Sequence, residues 1–127
     1  MNPGTVIFWK GFTFDDGGVS DKLLVVIGRR KDGSLLLLKT TSKGRSYMPD
    51  SDGCHSEKSV HRFKQYLGSF KIPTWVQFDP PIERIADQIN SAGAHKVFEL
   101  KPTDLASIVN CYKKSDDISD ALMEYFK

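Results

Sequence analysis

Lysine and arginine are concentrated between positions 39 and 71, and aromatic residues are spaced among them. A site for single-stranded nucleic acid needs this combination, because cations contact phosphates and aromatic rings stack on bases. A solvated loop followed by a helix face would carry similar charges, so both interpretations are open. The cations are Lys39, Lys43, Arg45, Lys58, Arg62, Lys64 and Lys71, and the aromatic residues are Tyr47, Phe63, Tyr66 and Phe70.

Three further residues of this segment, Cys54, His55 and His61, have side chains that can do chemistry. Either histidine is a candidate acid or base, because imidazole titrates near neutrality. A Cys54–His55 dyad is disfavoured, since adjacent side chains of an extended chain point to opposite faces. No fourth metal ligand is indicated, and CxxC, HExxH, P-loop and GxGxxG motifs are absent, so we expect neither a metal nor a nucleotide cofactor.

Length and composition favour one globular domain over residues 1–127. The chain is 39% hydrophobic and 27% charged, and two domains would each be too small for a good core. Its longest apolar runs, 23–27 and 35–38, are far shorter than the roughly 20 residues that span a bilayer. We expect no secretory signal and a cytoplasmic protein in which Cys54 and Cys111 are free thiols, with one disulfide as the alternative.

The formal net charge of +2 conceals two halves of opposite sign. Up to Trp75 the chain has 12 Lys and Arg against 7 Asp and Glu, a net of +5. After Trp75 it has 6 against 9, a net of −3. The first half is therefore where a phosphate-bearing partner would bind, with a solvated basic surface as the alternative.

The first forty residues are typical of an antiparallel meander. β-branched and aromatic residues predict a first strand at 5–9, and a continuous apolar run predicts a strand covered on both faces at 22–28. A turn at 31–34 leads into a partner strand at 35–41. The polar stretch at 42–57 predicts an extended surface loop, which is a common position for functional residues.

The middle of the chain is ambiguous. Apolar spacing favours a helix at 59–70, with a strand as the alternative. Residues 74–78 alternate as a strand does, and we expect that strand to stop at Asp79-Pro80-Pro81, because proline cannot donate to a ladder. Residues 82–89 follow at helical spacing, with an irregular strand as the alternative.

The last third predicts a strand at 96–100 and two helices. One helix begins at Pro102-Thr103-Asp104 and the other at Ser115-Asp116-Asp117, both of which are helix-start signals. Strands first and helices last indicate an α+β fold, in which a small antiparallel sheet curls into a barrel-like shape capped by C-terminal helices. Trp9 and Trp75 are expected in the core or an interface, because both lie in predicted strands.

Several short motifs follow one another in this order of elements. PGTVIF at 3–8 is followed by FTFDDGG at 12–18 and SDKLLVVIG at 20–28. An apolar strand then ends in KTTSK at 39–43, and TWVQF at 74–78 precedes a strand and a C-terminal helix. This arrangement resembles the PemK/MazF family of toxin endoribonucleases, and the resemblance implies a small antiparallel SH3-like β-barrel with C-terminal helices.

The resemblance also implies a function. It implies a homodimer that cleaves single-stranded RNA through 2′-hydroxyl attack without a metal or other cofactor, with an antitoxin protein as a possible partner and no membrane contact. Lys22 falls at the family's arginine position, and Thr41 or Ser42 falls at its hydroxyl position. These three are the candidate catalytic residues. The candidate substrate-binding residues are Arg29, Lys43, Arg45, His55 and Lys58.

The chain departs from the family at its most important cation. Lysine lacks the planar fork of arginine, and Leu23 stands where the family has proline after the arginine. Either another cation, from Arg29, Arg30 or Arg45, takes that role, or the fold is retained for binding without strong cleavage. The alternative function is thus a non-catalytic SH3-like module that binds nucleic acid or a protein through the 42–57 loop. A small enzyme with a loop cysteine nucleophile is a third hypothesis.

Overall fold

A computed structural model of the chain describes residues 1–14, 16–64 and 70–127, in which seven strands pair into one antiparallel sheet. Their order across the sheet is β4-β5-β6-β3-β2-β1-β7, with three α-helices outside it. The predicted α+β class with an antiparallel sheet is confirmed. The strands are β1 (Thr5–Thr13), β2 (Val19–Arg29), β3 (Leu35–Thr41), β4 (Gly53–His55), β5 (Val60–Phe63), β6 (Thr74–Arg84) and β7 (His95–Glu99), and the helices are α1 (Ala86–Ser91), α2 (Pro102–Lys114) and α3 (Asp120–Met123).

The central strand β3 is buried on both faces of the sheet. Leu35 to Leu38 have almost no exposed surface. Because successive side chains of a strand point to opposite faces, two of these leucines lie in the cluster with Ile108 of α2 and two in the cluster with Ile89 of α1. Burying each one contributes about 2 kcal/mol of transfer free energy. The strand predicted to be covered on both faces is β2, where Val25 and Ile27 lie in the Ile108 cluster and Leu24 and Val26 in the Ile89 cluster, so that prediction is confirmed.

The sheet curls until its two sides approach each other. Phe63 of β5 lies 5.6 Å, between ring centroids, from Phe70, which in turn lies 5.5 Å from Phe98 of β7. Among the described residues no ladder joins β4 to β7, so hydrogen bonds do not close the sheet into a barrel. An open seam therefore separates the 70–74 segment from β7.

The helix favoured at 59–70 is wrong where the structure describes this segment. Val60 to Phe63 form β5, which is paired with β4 on one side and β6 on the other. The β-branched and aromatic residues of this segment suit a half-buried ladder, and pairing on both sides overrides the helical spacing. Residues 65–69 of that prediction, with Tyr66, lie outside the described residues.

The strand predicted to stop at Asp79-Pro80-Pro81 continues through it to Arg84. The register between β3 and β6 shifts between Leu37, which faces Ile82, and Lys39, which faces Gln77. Residues 78–81 fall in this irregularity, where the ladder with β3 requires no N–H from proline. The Asp79–Pro80 peptide bond is cis.

The C-terminal helices follow the predicted order with shifted starts. α1 begins at Ala86, and α2 begins at Pro102 as predicted, with proline in the first turn. The helix predicted from Ser115 instead begins at Asp120, after Ser119 accepts a hydrogen bond from Leu122 N. Ser115 ends α2, because its hydroxyl donates to the Tyr112 carbonyl at 2.6 Å. None of the helices in the described ranges is long and apolar enough to cross a membrane.

Cys54 and Cys111 form a disulfide between β4 and α2, so the expectation of free thiols is wrong for this structure. The two residues are 57 positions apart, and their approach depends on how β4 lies beside α2. No local sequence pattern encodes that packing. The bond also leaves Cys54 without the thiol that a cysteine nucleophile would need.

Candidate functional site

Lys22 of β2 is surrounded by an aromatic ring and other cations. Its half-buried ammonium lies 3.4 Å from the Thr40 carbonyl oxygen and 5.7 Å from the centroid of Phe14. The ammonium of Lys39 lies 5.0 Å from the same centroid. Burial lowers the pKa of Lys22 below its ordinary value of 10.5, and the charges of Lys39, Arg45 and Lys43 lower it further. Lys22 therefore loses its proton more readily than an ordinary lysine.

On the face of β3 that carries Leu35 and Leu37, the side chains become polar from Lys39 onward. Continuing along that face by steps of two residues, Lys39 and Thr41 replace the leucines. Gln77 of β6 is the ladder partner of Lys39 and extends the polar surface across the sheet. The sheet face that is core in its first half thus becomes a polar, concave surface at the ends of β2 and β3.

Two concave surfaces meet at Lys22 and Thr41. We name them the basic hollow, of about 460 Å³, and the apolar groove, of about 620 Å³. The basic hollow is lined by Phe14, Asp16, Gly18, Val19, Lys22, Lys39, Thr41, Arg45, Gln77 and Pro80. The apolar groove follows the open seam and is lined by Phe8, Leu23, Phe70, Ile72, Val97 and Phe98, with Ser20, Asp21, Lys22, Thr40, Thr41, Ser42, Lys43, Lys71 and Thr74 supplying its polar atoms.

The loop predicted at 42–57 ends at Asp52, because β4 occupies Gly53–His55. Trp75 anchors this loop and holds Arg45 at the basic hollow. The Trp75 indole N–H donates to the Pro49 carbonyl at 2.8 Å, and the ring packs with buried Met48. At Gly44 an added Cβ would lie only 2.8 Å from a ring carbon of Trp75, so only glycine lets the backbone pass this close. The prediction that Trp75 is a core residue is confirmed.

Arg62 of the basic stretch has a structural role in the same region. Its guanidinium lies 4.9 Å from the Trp75 ring and forms an ion pair with Asp52. This contact connects β5 to the end of the loop. One member of the predicted cation cluster, Arg62, is therefore neutralised by Asp52 of the loop.

The hydroxyl of Thr41 already makes local hydrogen bonds. Its Oγ1 accepts from Lys43 N at 3.2 Å and lies 3.3 Å from the Lys43 carbonyl oxygen. These contacts shape the turn that brings Lys43 back toward β2. The neighbouring Ser42 is exposed on the apolar groove, so its hydroxyl is accessible to a ligand.

The structure brings together five of the eight candidate site residues and separates the other three. Lys22, Thr41, Ser42, Lys43 and Arg45 line the two joined surfaces. Arg29 pairs with Leu35 at the opposite end of β2, roughly 24 Å from Lys22 at the ordinary strand rise. It is therefore too remote to supply the missing cation.

His55 and Lys58 also lie away from the basic hollow. His55 Nε2 is 2.7 Å from the Ser51 carbonyl oxygen, and its Nδ1 is 3.8 Å from the Glu57 carboxylate. Lys58 lines a separate, smaller hollow. The other candidate histidine, His61, is buried against Phe63, and burial, with the His55 charge, lowers its pKa to about 4. None of these groups is placed to exchange a proton at Lys22.

Phe14, Lys39 and Gln77 are site residues that sequence reasoning did not select. Lys39 was noted only as one member of the cation cluster, although its step-of-two spacing from Leu35 and Leu37 places it on the same face. No spacing pattern in the sequence singles out Phe14 or Gln77 as a site residue. Their positions depend on the strand register and on the turn after β1.

In the part of the chain that the structure describes, no three His, Cys, Asp or Glu side chains come together as a metal site would require. Comparison of the chain with protein-family models, with curated proteins and with solved structures finds no match. The resemblance to the PemK/MazF family therefore stays a prediction.

Proposed function

We propose that this chain binds single-stranded RNA across the basic hollow and cleaves it by 2′-hydroxyl attack, as the resemblance to PemK/MazF toxins implies. One observation carries the proposal: Lys22, Thr41 and Arg45 line a single concave surface in which the pKa of Lys22 is lowered. Cations there attract phosphate, and the half-buried Phe14 ring, which lines the hollow, offers an aromatic surface to a base.

The proposed reaction uses the neutral form of Lys22 as the base. Its amine takes the proton of the 2′-hydroxyl, the 2′-oxygen forms a bond to the adjacent phosphorus, and the bond from phosphorus to the 5′-oxygen breaks. The leaving 5′-oxygen takes a proton from solvent in the open hollow. Arg45 and Lys43 neutralise charge that develops on the phosphoryl oxygens. The products are a 2′,3′-cyclic phosphate and a 5′-hydroxyl.

Arg45 supplies the arginine that the family pattern has at the position of Lys22. Of the other arginines considered for this role, Arg29 lies at the far end of β2, and Arg30 is engaged with Tyr125 and Glu83. Arg45 lines the hollow and has the planar fork that binds phosphate in two places. We assign phosphate positioning to Arg45 and proton transfer to Lys22.

The second candidate function is the non-catalytic module that binds RNA or a protein. The hydrogen bonds of Thr41 with Lys43 favour it, because this hydroxyl is already used in the fold. The apolar groove also suits a binding site, since Ile72 and Val97 are 54% and 45% exposed. This candidate predicts binding without turnover.

The finer expectations from the family remain part of the proposal. We propose an SH3-like barrel, which the approach of β5 and β7 through Phe70 supports. We also propose a homodimer that an antitoxin protein inhibits and that is located in the cytoplasm, where the Cys54–Cys111 pair would be kept reduced. Sedimentation of the purified chain measures the dimer, and a monomer at all micromolar concentrations would remove it from the proposal.

The test of function is incubation of the purified chain with a long single-stranded RNA in EDTA. We expect fragments that end in a 2′,3′-cyclic phosphate, detected by mass spectrometry of the termini. Retention of intact RNA on the protein would instead establish the non-catalytic module. Absence of both binding and fragments would exclude RNA as the ligand.

A further inference from the structure

A third concave surface of about 300 Å³ adjoins the basic hollow. We name it the Tyr47 hollow. Gln77 of β6 lines both surfaces, so the two hollows adjoin at this residue. The Tyr47 hollow is lined by Tyr47, Met48, Lys58, Ser59, Val60, Gln77 and Asp79.

Tyr47 is an exposed aromatic residue on a fixed turn. Its side chain is 53% exposed, whereas the next residue, Met48, is 5% exposed and packs with Trp75. Met48 N donates to the Arg45 carbonyl at 2.9 Å and closes the turn. An exposed ring on an anchored backbone can stack on a base with little loss of conformational entropy.

The opposite wall of the Tyr47 hollow has an unusual backbone conformation. Ser59 has φ of 58°, in the left-handed region that residues other than glycine rarely adopt. Its carbonyl accepts from Phe78 N at 2.9 Å, and its N–H donates to the Ser56 carbonyl at 3.1 Å. Such strain is concentrated at functional sites. Here it places Lys58 at the rim of the hollow.

The two hollows together match the length of a short RNA segment. From β2 to β5, across β3 and β6, there are three ladder spacings, or about 14 Å. A stacked single strand advances about 3.4 Å per nucleotide, so about four nucleotides span this distance. Lys22, Arg45 and Lys58 are distributed along it.

We propose that the Tyr47 hollow is a second nucleotide subsite that selects adenine or cytosine, the two bases with an exocyclic amino group where uracil has a carbonyl oxygen. The inference rests on the proposed RNA binding at the basic hollow. The Tyr47 ring stacks on the base, and Lys58 contacts its phosphate. The Asp79 carboxylate and the Gln77 side-chain oxygen accept hydrogen bonds from the amino group of adenine or cytosine. Uracil has a carbonyl oxygen in that place, which the Asp79 carboxylate repels.

The test measures binding of eight-nucleotide 2′-O-methyl oligomers of A, C and U by fluorescence anisotropy. These oligomers lack the 2′-hydroxyl and are not cleaved. We expect the parent to bind A and C oligomers more tightly than U, Tyr47→Ala to lose about tenfold in affinity, and Tyr47→Phe to lose little. Asp79→Asn is expected to reduce the preference over U. Ile85→Ala is the matched control, because Ile85 is exposed and lines neither hollow.

The outcomes separate the subsite from the function on which it rests. If the parent binds RNA and Lys22→Ala weakens binding while Tyr47→Ala does not, the subsite is refuted and the proposed function stands. If Tyr47→Ala and Tyr47→Phe lose affinity equally, stacking is refuted. If the parent binds none of the oligomers, both proposals fail. Thermal unfolding of each variant checks that the loop remains folded.

Discussion

The two ends of β2 each hold a cation beside an aromatic ring, with opposite electrostatic surroundings. At one end, just past the strand, Arg30 lies 4.4 Å from the centroid of Tyr125 and 3.6 Å from the Glu83 carboxylate, and it donates to the Ala121 carbonyl. At the other end, Lys22 and Lys39 share the Phe14 ring, and among the described residues neither forms an ion pair.

The partner of the cation decides what each end can do. At Arg30 the charge is neutralised by Glu83, and the arrangement fastens the C-terminal segment to the sheet. At Lys22 the charges that lower its pKa are all cations, and these outnumber the single acid among the described residues of the hollow, Asp16, so the surface attracts an anion from outside. A cation that lies over an aromatic ring and also pairs with a carboxylate stabilises the fold. A cation that lies over a ring without such a pair is available to bind a ligand.

The strongest test of this contrast replaces each cation by alanine. We expect Lys22→Ala to lower the RNA cleavage rate by about 10² to 10⁴, because it removes the proposed base. Arg30→Ala is expected to leave the rate of the folded protein unchanged. Single-turnover cleavage with excess enzyme measures both. Equal losses in the two variants would contradict the contrast.

The second test is the pH dependence of cleavage. In the proposed reaction the neutral amine of Lys22 is the base, so the rate should rise about tenfold per pH unit and level off at a pH below 10.5, the ordinary lysine value. The rate rises with pH because only the deprotonated amine is a base. The lowered pKa increases the deprotonated fraction at a given pH. Background hydrolysis is subtracted with Lys22→Ala. A rate that falls as pH rises through this range would assign Lys22 a purely electrostatic role.

The third test displaces the loop while leaving its charges in place. Gly44→Ala puts a Cβ against the Trp75 ring, and we expect a loss of about 2 kcal/mol in unfolding free energy and a weaker affinity for RNA. Gly33→Ala is a control at the Arg30 end, since no atom lies within 4 Å of its added Cβ, although its positive φ also disfavours alanine. Denaturant unfolding and anisotropy give the two quantities. Unchanged RNA affinity in Gly44→Ala would show that Arg45 does not need the anchored loop.

The smallest effect is expected at the structural end. The Tyr125 hydroxyl donates to Glu83 at 2.7 Å, so Tyr125→Phe should cost about 1 kcal/mol of unfolding free energy and none of the cleavage rate. Chemical denaturation compared with single-turnover cleavage checks it. A change in cleavage with unchanged stability would indicate that the two ends are coupled.

The elements that the sequence predicts well are those whose signal is local. The leucine run at 35–38 and the turn at 31–34 define β3 and its hairpin, and Lys22 and Thr41 follow from motif position. These residues come together because antiparallel neighbours bring the start of β2 beside the end of β3.

The rest depends on contacts between distant residues. Val60 to Phe63 form a strand because β4 and β6 are available on either side, and β6 continues past its prolines because of a register shift in β3. Arg29 shares the sign of Arg45 but lies at the wrong end of β2. Arg45 is held at the site by the packing of Gly44 and Pro49 on Trp75, which is a contact between residues distant in sequence.

The disulfide between Cys54 and Cys111 has a mechanical consequence. A force applied to the two ends of the chain passes through the bond and bypasses everything between the two cysteines. The covalent loop spans 57 positions from Cys54 to Cys111 and includes β5, β6 and β7, so it would add roughly 190 Å of contour length if the bond were reduced. Under oxidising conditions only the β1–β3 meander, the 42–53 segment and the C-terminal residues can be drawn out. The chain thus contains a length of polypeptide that extends under load only after reduction.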